Sequence, residues 1–258
     1  MADAPKDELE GTEQPFVSHL IELRDRLLRS IIAIGAVFLV LTVWPGLGPM
    51  FDLLAKPLLQ HLPEGTRLIA TSVISPILVP LKVTLTAAFL VALPFVLYQV
   101  WAFVAPGLYS HEKRFVLPLV ISSTALFYIG VAFCYHMVIP AISRFTTALN
   151  IASITAAPDI EQYFGFVLTL FIVFGIAFEV PIAVIVLARI GIVSVEQLRK
   201  ARGYFIVGAF IVSAVVTPPD VISQLSLAIP MCILYEIGIL AAQFLIRTTK
   251  APEEATGG

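Results

Sequence analysis

Residues 202–244 read RGYFIVGAFIVSAVVTPPDVISQLSLAIPMCILYEIGILAAQF. Two apolar runs sit back to back, parted only by Pro218-Pro219-Asp220. The prolines stop the first helix, because proline lacks a backbone N–H and clashes with the preceding turn. Asp220 is well placed to cap the second. The first run is short. Only 15 residues lie between Arg202 and Pro218, about 22 Å of helix against a hydrocarbon core of roughly 30 Å. A span of that length must thin the bilayer locally or be shielded by its neighbours.

The rest of the chain points to the same solvent. Of 258 residues, 59% are hydrophobic and 13% charged, with a mean hydropathy of +0.95. Soluble domains are usually about 45–50% apolar and about 25% charged. Four further apolar stretches of spanning length precede the hairpin, at 27–44, 76–104, 115–138 and 162–188. With 204–217 and 221–244 they predict an all-α membrane protein of six transmembrane helices. The Pro- and Gly-rich stretch 45–75 reads as an extramembrane cap containing one amphipathic helix, MFDLLAKPLLQHL (50–62), and 139–161 as a second cap. Residues 16–246 form a single domain in this reading. The polar ends, 1–15 and 247–258, are expected to be disordered. The N-terminus lacks the basic start and short apolar core of a cleavable signal.

Basic residues set the orientation. Lys6, Arg24, Arg26 and Arg29 precede span one; Lys113, Arg114, Arg189, Arg199, Lys200 and Arg202 lie in loops on the same side; Arg247 and Lys250 follow span six. The other side holds Lys56, Arg67 and Arg144, and Lys82 lies in span two. This asymmetry predicts that both termini are cytoplasmic.

Motifs for chemistry are missing. Cys134 and Cys232 sit in apolar runs with no disulfide framework. The four histidines lie in separate segments, without HExxH, GxSxG or a Walker loop. We therefore expect no enzyme, cofactor or metal. The net charge of −2 carries no signal for nucleic acid. The two caps are dissimilar, which weakens a transporter built from inverted repeats.

Ionisable side chains inside spans are costly and usually face a cavity or a partner. Lys82 is close enough to the outer end to snorkel. Glu179, in FGIAFEVP, lies about nine residues from the cytoplasmic end, roughly 14 Å of helix. It either makes one interhelical hydrogen bond or lines a hydrated groove opening from the cytoplasm; Pro181 would bend the helix there. Glu236 serves helix packing or partner binding. Thr217, Asp220 and Gln224 form a polar cluster at the outer end of the hairpin, as a cap or as a contact for another helix.

Two glutamates interrupt the basic face, Glu22 in HLIELRDRL and Glu112 in SHEKR. Each has a plain structural role available. Glu22 can pair with Arg26 at i,i+4, and Glu112 with a neighbouring base. Each also fits a cation receptor, since a carboxylate accepts a guanidinium through two parallel hydrogen bonds that lysine cannot make.

The segments SHLIELRDRL, LPFVLYQVWAFVAPGLYSHEKR, FGIAFEVP, TPPDVISQLSLAIPM and YEIG closely resemble the TatC family, the polytopic receptor subunits of the twin-arginine protein translocase. The resemblance runs from about 16 to 246. It implies a cupped six-helix bundle that recognises twin-arginine signal peptides. With single-span TatA- and TatB-type partners, it would move folded proteins across the bacterial inner membrane on the proton-motive force. It assigns signal recognition to Glu22, Arg24 and Glu112, with Phe103, Leu108 and the outer-cap Pro57 at sensitive positions. Glu179 falls in the concave groove. Thr217, Asp220 and Gln224 fall where a partner helix docks, and Glu236 is grouped with them. Other copies of the chain and membrane lipids are further expected contacts. The competing reading is a small-molecule or ion carrier with Glu179 and Glu236 as a proton relay.

Overall fold

The computed structural model describes residues 10–59, 68–104, 116–148, 158–217 and 221–249, with the side chains of 10–16, 56–58, 146–148 and 246–249 left aside. Its described part is helical: α1 Glu10–Leu41, α2 Leu47–Leu59, α3 Ser75–Val104, α4 Val116–Phe133, α5 Ile139–Ala148, α6 Ile160–Ala177, α7 Val180–Arg189, α8 Val195–Lys200, α9 Arg202–Val216 and α10 Val221–Thr249. Five stretches are long and apolar enough to cross a membrane, namely Val17–Ala55, Ser75–Val104, Val116–Phe145, Ile160–Arg189 and Val221–Leu245. A sixth, Arg202–Val216, is apolar but only 15 residues long. The chain is a multi-pass membrane protein.

Several boundaries differ from the sequence reading. Helix α1 starts at Glu10, inside the stretch expected to be disordered, and α10 runs to Thr249, beyond 246. Apolar patterning marks where a helix meets lipid, not where its hydrogen-bond ladder stops. The amphipathic helix begins three residues early, at Leu47. It follows a kink at Thr42–Gly46, where Trp44 is extended (φ −147°, ψ 121°). The second cap is partly helix, because α5 continues α4 through a widened turn at Cys134–Val138. The loop at 189–203 holds α8, whose start is closed by reciprocal Ser194 and Gln197 hydrogen bonds, a capping box.

The centre of the bundle is the α6–α7 span. Of its most apolar window 56% is buried by the rest of the chain, against 6% for the span that contains α1. Phe164, Val167, Leu170, Phe171 and Phe174 pack there with Val79 and Val83 of α3, Cys134 and Leu227. Two glycines let helices close up. A Cβ on Gly130 would lie 2.5 Å from the Phe174 carbonyl oxygen, and one on Gly175 would strike the Phe127 ring. On the other side of the bundle, α7 packs on α10. There a Cβ on Gly238 would lie 2.9 Å from Pro181 Cα. Helix α1 packs along α3 and leaves Ile32, Leu39 and Val40 exposed, as lipid-facing side chains should be.

At one end of the bundle the two caps are joined. Ile69 N donates to Pro158 O (3.1 Å), and Ile160 N to Ile69 O (2.8 Å). Asp159 caps α6 through the amides of Glu161 and Gln162 and accepts from the Thr71 hydroxyl (2.6 Å) and amide (3.0 Å). These bonds, that to the Thr71 hydroxyl first, hold its carboxyl down at about 2. Lys82 does more than snorkel: its Nζ reaches Glu161 Oε1 at 2.7 Å, while Ser75 donates to Glu161 Oε2 at 2.8 Å. Sequence spacing could not show a partner 79 residues away.

Candidate functional site

The basic-face site is built by the start of α1 against the end of α3. The ladder of α1 puts His19, Glu22 and Arg26 on one side, three and four residues apart. Arg26 donates from Nε (2.9 Å) and Nη2 (2.6 Å) to Glu22 Oε1. Its Nη1 reaches Gln99 Oε1 of α3 at 3.4 Å. Gln99 is buried at 4% exposure, so the Arg26 guanidinium bridges the two helices. Glu22 Oε2 turns towards His19 Nδ1, 3.9 Å away. The His19 ring lies flat on Phe103, with centroids 4.3 Å apart and planes inclined by 16°.

The structure therefore brings Glu22 and Phe103 into one cluster. Arg24 stands apart from this cluster. Arg24 binds Asp25 through Nε (2.9 Å) and Nη2 (2.8 Å), because residues two apart on a helix point in different directions. Arg26 holds Glu22 instead. Leu108, Glu112, Asp220 and the side chain of Pro57 lie outside what the structure describes. Sequence reasoning missed His19 and Gln99. A polar Gln99 within an apolar span and a histidine one turn before Glu22 were the available signals.

Glu179 stands at the joint between α6 and α7. Both carboxyl oxygens are covered, and among the described residues neither makes a hydrogen bond. The polar group that bears on it is Ser123 of α4, whose Oγ already accepts from Trp101 Nε1 at 2.8 Å. The carboxyl is enclosed because α3, α4 and α6–α7 converge here, which no single segment reveals.

The α9–α10 hairpin is tied across its two helices. Ser213 Oγ donates to Gln224 O (2.6 Å), and Gln224 Nε2 to Phe210 O (3.3 Å). Thr217 is buried, its hydroxyl donating to Ser213 O at 2.8 Å. Glu236 does not join them. It sits 12 residues along α10 from Gln224, about 18 Å of helix, and accepts from Arg202 Nη2 at 2.7 Å. Among the described residues Glu236 is bound to Arg202, and no hydrogen bond runs between Glu236 and Glu179. Helix α9 presents an exposed stripe of Tyr204, Val207, Ile211 and Val215. No cluster suited to a metal occurs among the described residues.

Comparisons with known proteins converge. The family model described as "Sec-independent protein translocase protein (TatC)" matches residues 18–230. The Sec-independent protein translocase protein TatC of Escherichia coli K12 is 46% identical, over 93% of each chain. That of Halothiobacillus neapolitanus is 45% identical over 92% of this chain, which spans 64% of the relative's length. A solved structure entitled "Crystal Structure of Twin Arginine Translocase Receptor- TatC" superposes with a TM-score of 0.78 at 41% identity. It covers 89% of this chain and all of its own.

Proposed function

The chain belongs to the TatC family of Sec-independent protein translocases, and from that premise we propose that it reads the consecutive arginines of signal peptides on folded cargo. The observation that carries this is Glu22. It is an acidic group on a basic face, gripped by Arg26 at one oxygen and turned towards the His19–Phe103 stack at the other. Glu22 and Glu112 accept the two guanidinium groups through charge-assisted hydrogen bonds, and Arg24 and Leu108 complete the surface. Six spans, counting the short α9, would bring both termini to one side of a bacterial inner membrane, and the excess of basic residues on that side supports the cytoplasmic one.

The apolar segment of the signal then enters between the helices around Glu179. Single-span TatA- and TatB-type subunits dock on α9 and the start of α10, at Asp220, Gln224 and the exposed α9 stripe. Buried Thr217 braces this face from below. With those subunits and further copies of itself, the chain moves cargo using the proton-motive force.

The test is titration of a synthetic twin-arginine signal peptide against the wild-type chain, Glu22→Ala and Glu112→Ala. Both variants should bind more weakly, and a twin-lysine peptide should bind the wild type poorly. Unchanged affinity in both variants would overturn the two-carboxylate account. Crosslinks from a partner helix should fall near Gln224; confinement to α1 and α4 would contradict the docking face.

A further inference from the structure

The His19 imidazole covers one face of Phe103 and points Nδ1 at Glu22 Oε2. A flat, delocalised ring with a nitrogen towards the carboxylate occupies the place a guanidinium would take. Guanidinium groups are planar, stack on aromatic faces and fork onto carboxylates. Glu22 Oε1 is already held by Arg26, so the approach left to an incoming arginine leads through Oε2 and across the face of Phe103. That is where His19 lies. The His19 side chain is half exposed, at 51%, and is seated by one stack and one long contact among the described residues. It can swing out into solvent without opening the core.

We propose that His19 is a displaceable placeholder for the first arginine of the signal, and that it sets the selectivity of the site for guanidinium over ammonium. This rests on the signal-receptor reading above. In the empty receptor the imidazole keeps the Phe103 face and the Glu22 oxygen covered, so that a lysine, with no plane to stack, gains too little to displace it. An arginine replaces both interactions at once, the stack by its own plane and the Nδ1 contact by a shorter charge-assisted hydrogen bond. His19 is thus a positioning and selectivity residue, while Glu22 and Phe103 make the contact.

The experiment uses the full-length chain in detergent or nanodiscs. Synthetic signal peptides bearing Arg-Arg or Lys-Lys are titrated against wild type, His19→Ala and His19→Trp. Removing the placeholder should tighten Arg-Arg binding by about two- to fivefold, the scale of an exposed cation–π contact, and Lys-Lys binding by more, since the ammonium no longer has an imidazole to displace, so the preference for arginine should narrow. Tryptophan stacks more firmly and is harder to displace, so His19→Trp should weaken Arg-Arg binding. A merely structural histidine would move both variants in the same direction, for both peptides alike, and that result would overturn the proposal. Adding Phe103→Leu to His19→Ala should erase the gain, and persistence of the gain would place the arginine elsewhere. If the wild type fails to distinguish the two peptides, the receptor reading itself fails. If it distinguishes them and His19→Ala changes nothing, only the placeholder fails.

Discussion

Arg26 grips Glu22 through two nitrogens on one oxygen, at 2.9 and 2.6 Å, and reaches across to buried Gln99 on α3 with a third. The pair is thus both an i,i+4 helix contact and a tether between helices. Arg26→Lys keeps the charge but loses the planar fork. The Arg26 side chain is only 21% exposed, so losing one or two of these hydrogen bonds at about 0.5–1.5 kcal/mol each should lower the melting temperature by about a few degrees. Twin-arginine peptide affinity should fall by about tenfold, the loss of roughly 1.4 kcal/mol of preorganisation. A large drop in melting temperature with unchanged binding would make the pair purely structural.

Enclosing Glu179 without a hydrogen bond should make it a liability to the fold. Glu179→Leu is expected to raise the stability of the purified chain by about 1–3 kcal/mol, the cost of an unsatisfied buried polar group. The same change should lower peptide-dependent transport in reconstituted vesicles. Loss of stability in a thermal melt would show that the carboxyl has a partner in solution.

The glycine crossings give a signed pair of outcomes. Gly175→Ala drives a methyl into the Phe127 ring and should destabilise by about 1–3 kcal/mol, as overpacking does. At Gly208 a Cβ meets nothing within 4 Å, so Gly208→Ala should be neutral or stabilising by about 0.5–1 kcal/mol through helix propensity. Thermal unfolding in one detergent decides between them, and equal effects would contradict the packing.

Asp159 ties the caps with its carboxyl held down at about 2, chiefly by the Thr71 hydroxyl. A depressed carboxyl contributes its stabilisation above the unfolded value of about 3.9. That contribution should fade as pH falls from about 4 towards 2. Hydrogen-exchange protection of the Ile69 and Ile160 amides should decline over this window. In Asp159→Asn it should start lower and stay flat with pH. Undiminished protection at pH 2 would mean the joint does not depend on this charge.

Lys82 and Glu161 make a testable pair across 79 residues. Changing both to alanine should lower the melting temperature by less than the two single losses combined. Strict additivity would return Lys82 to simple snorkelling.

The membrane class, the family and the helical hairpin were readable from local order alone. Apolar run length, basic asymmetry and Pro218-Pro219 are properties of single segments, so a linear reading reaches them. Glu22–Arg26 was equally legible, because helix geometry turns a spacing of four into a contact. Local order also exposed the short α9, whose 15 residues match the length of the apolar run between Arg202 and Pro218.

What only the tertiary structure decided is which polar groups meet across helices. Glu161 reaches Lys82, Arg202 reaches Glu236, Gln224 closes on Phe210, and His19 lies on Phe103. It also decided that Glu179 is enclosed, since three converging spans are needed to cover its carboxyl. In lipid the apolar pattern says only that a segment prefers the bilayer; every face of it is acceptable to acyl chains. Which face turns inward is settled by close packing at Gly130, Gly175 and Gly238 and by the pairing of the few polar groups, and those are relations between segments.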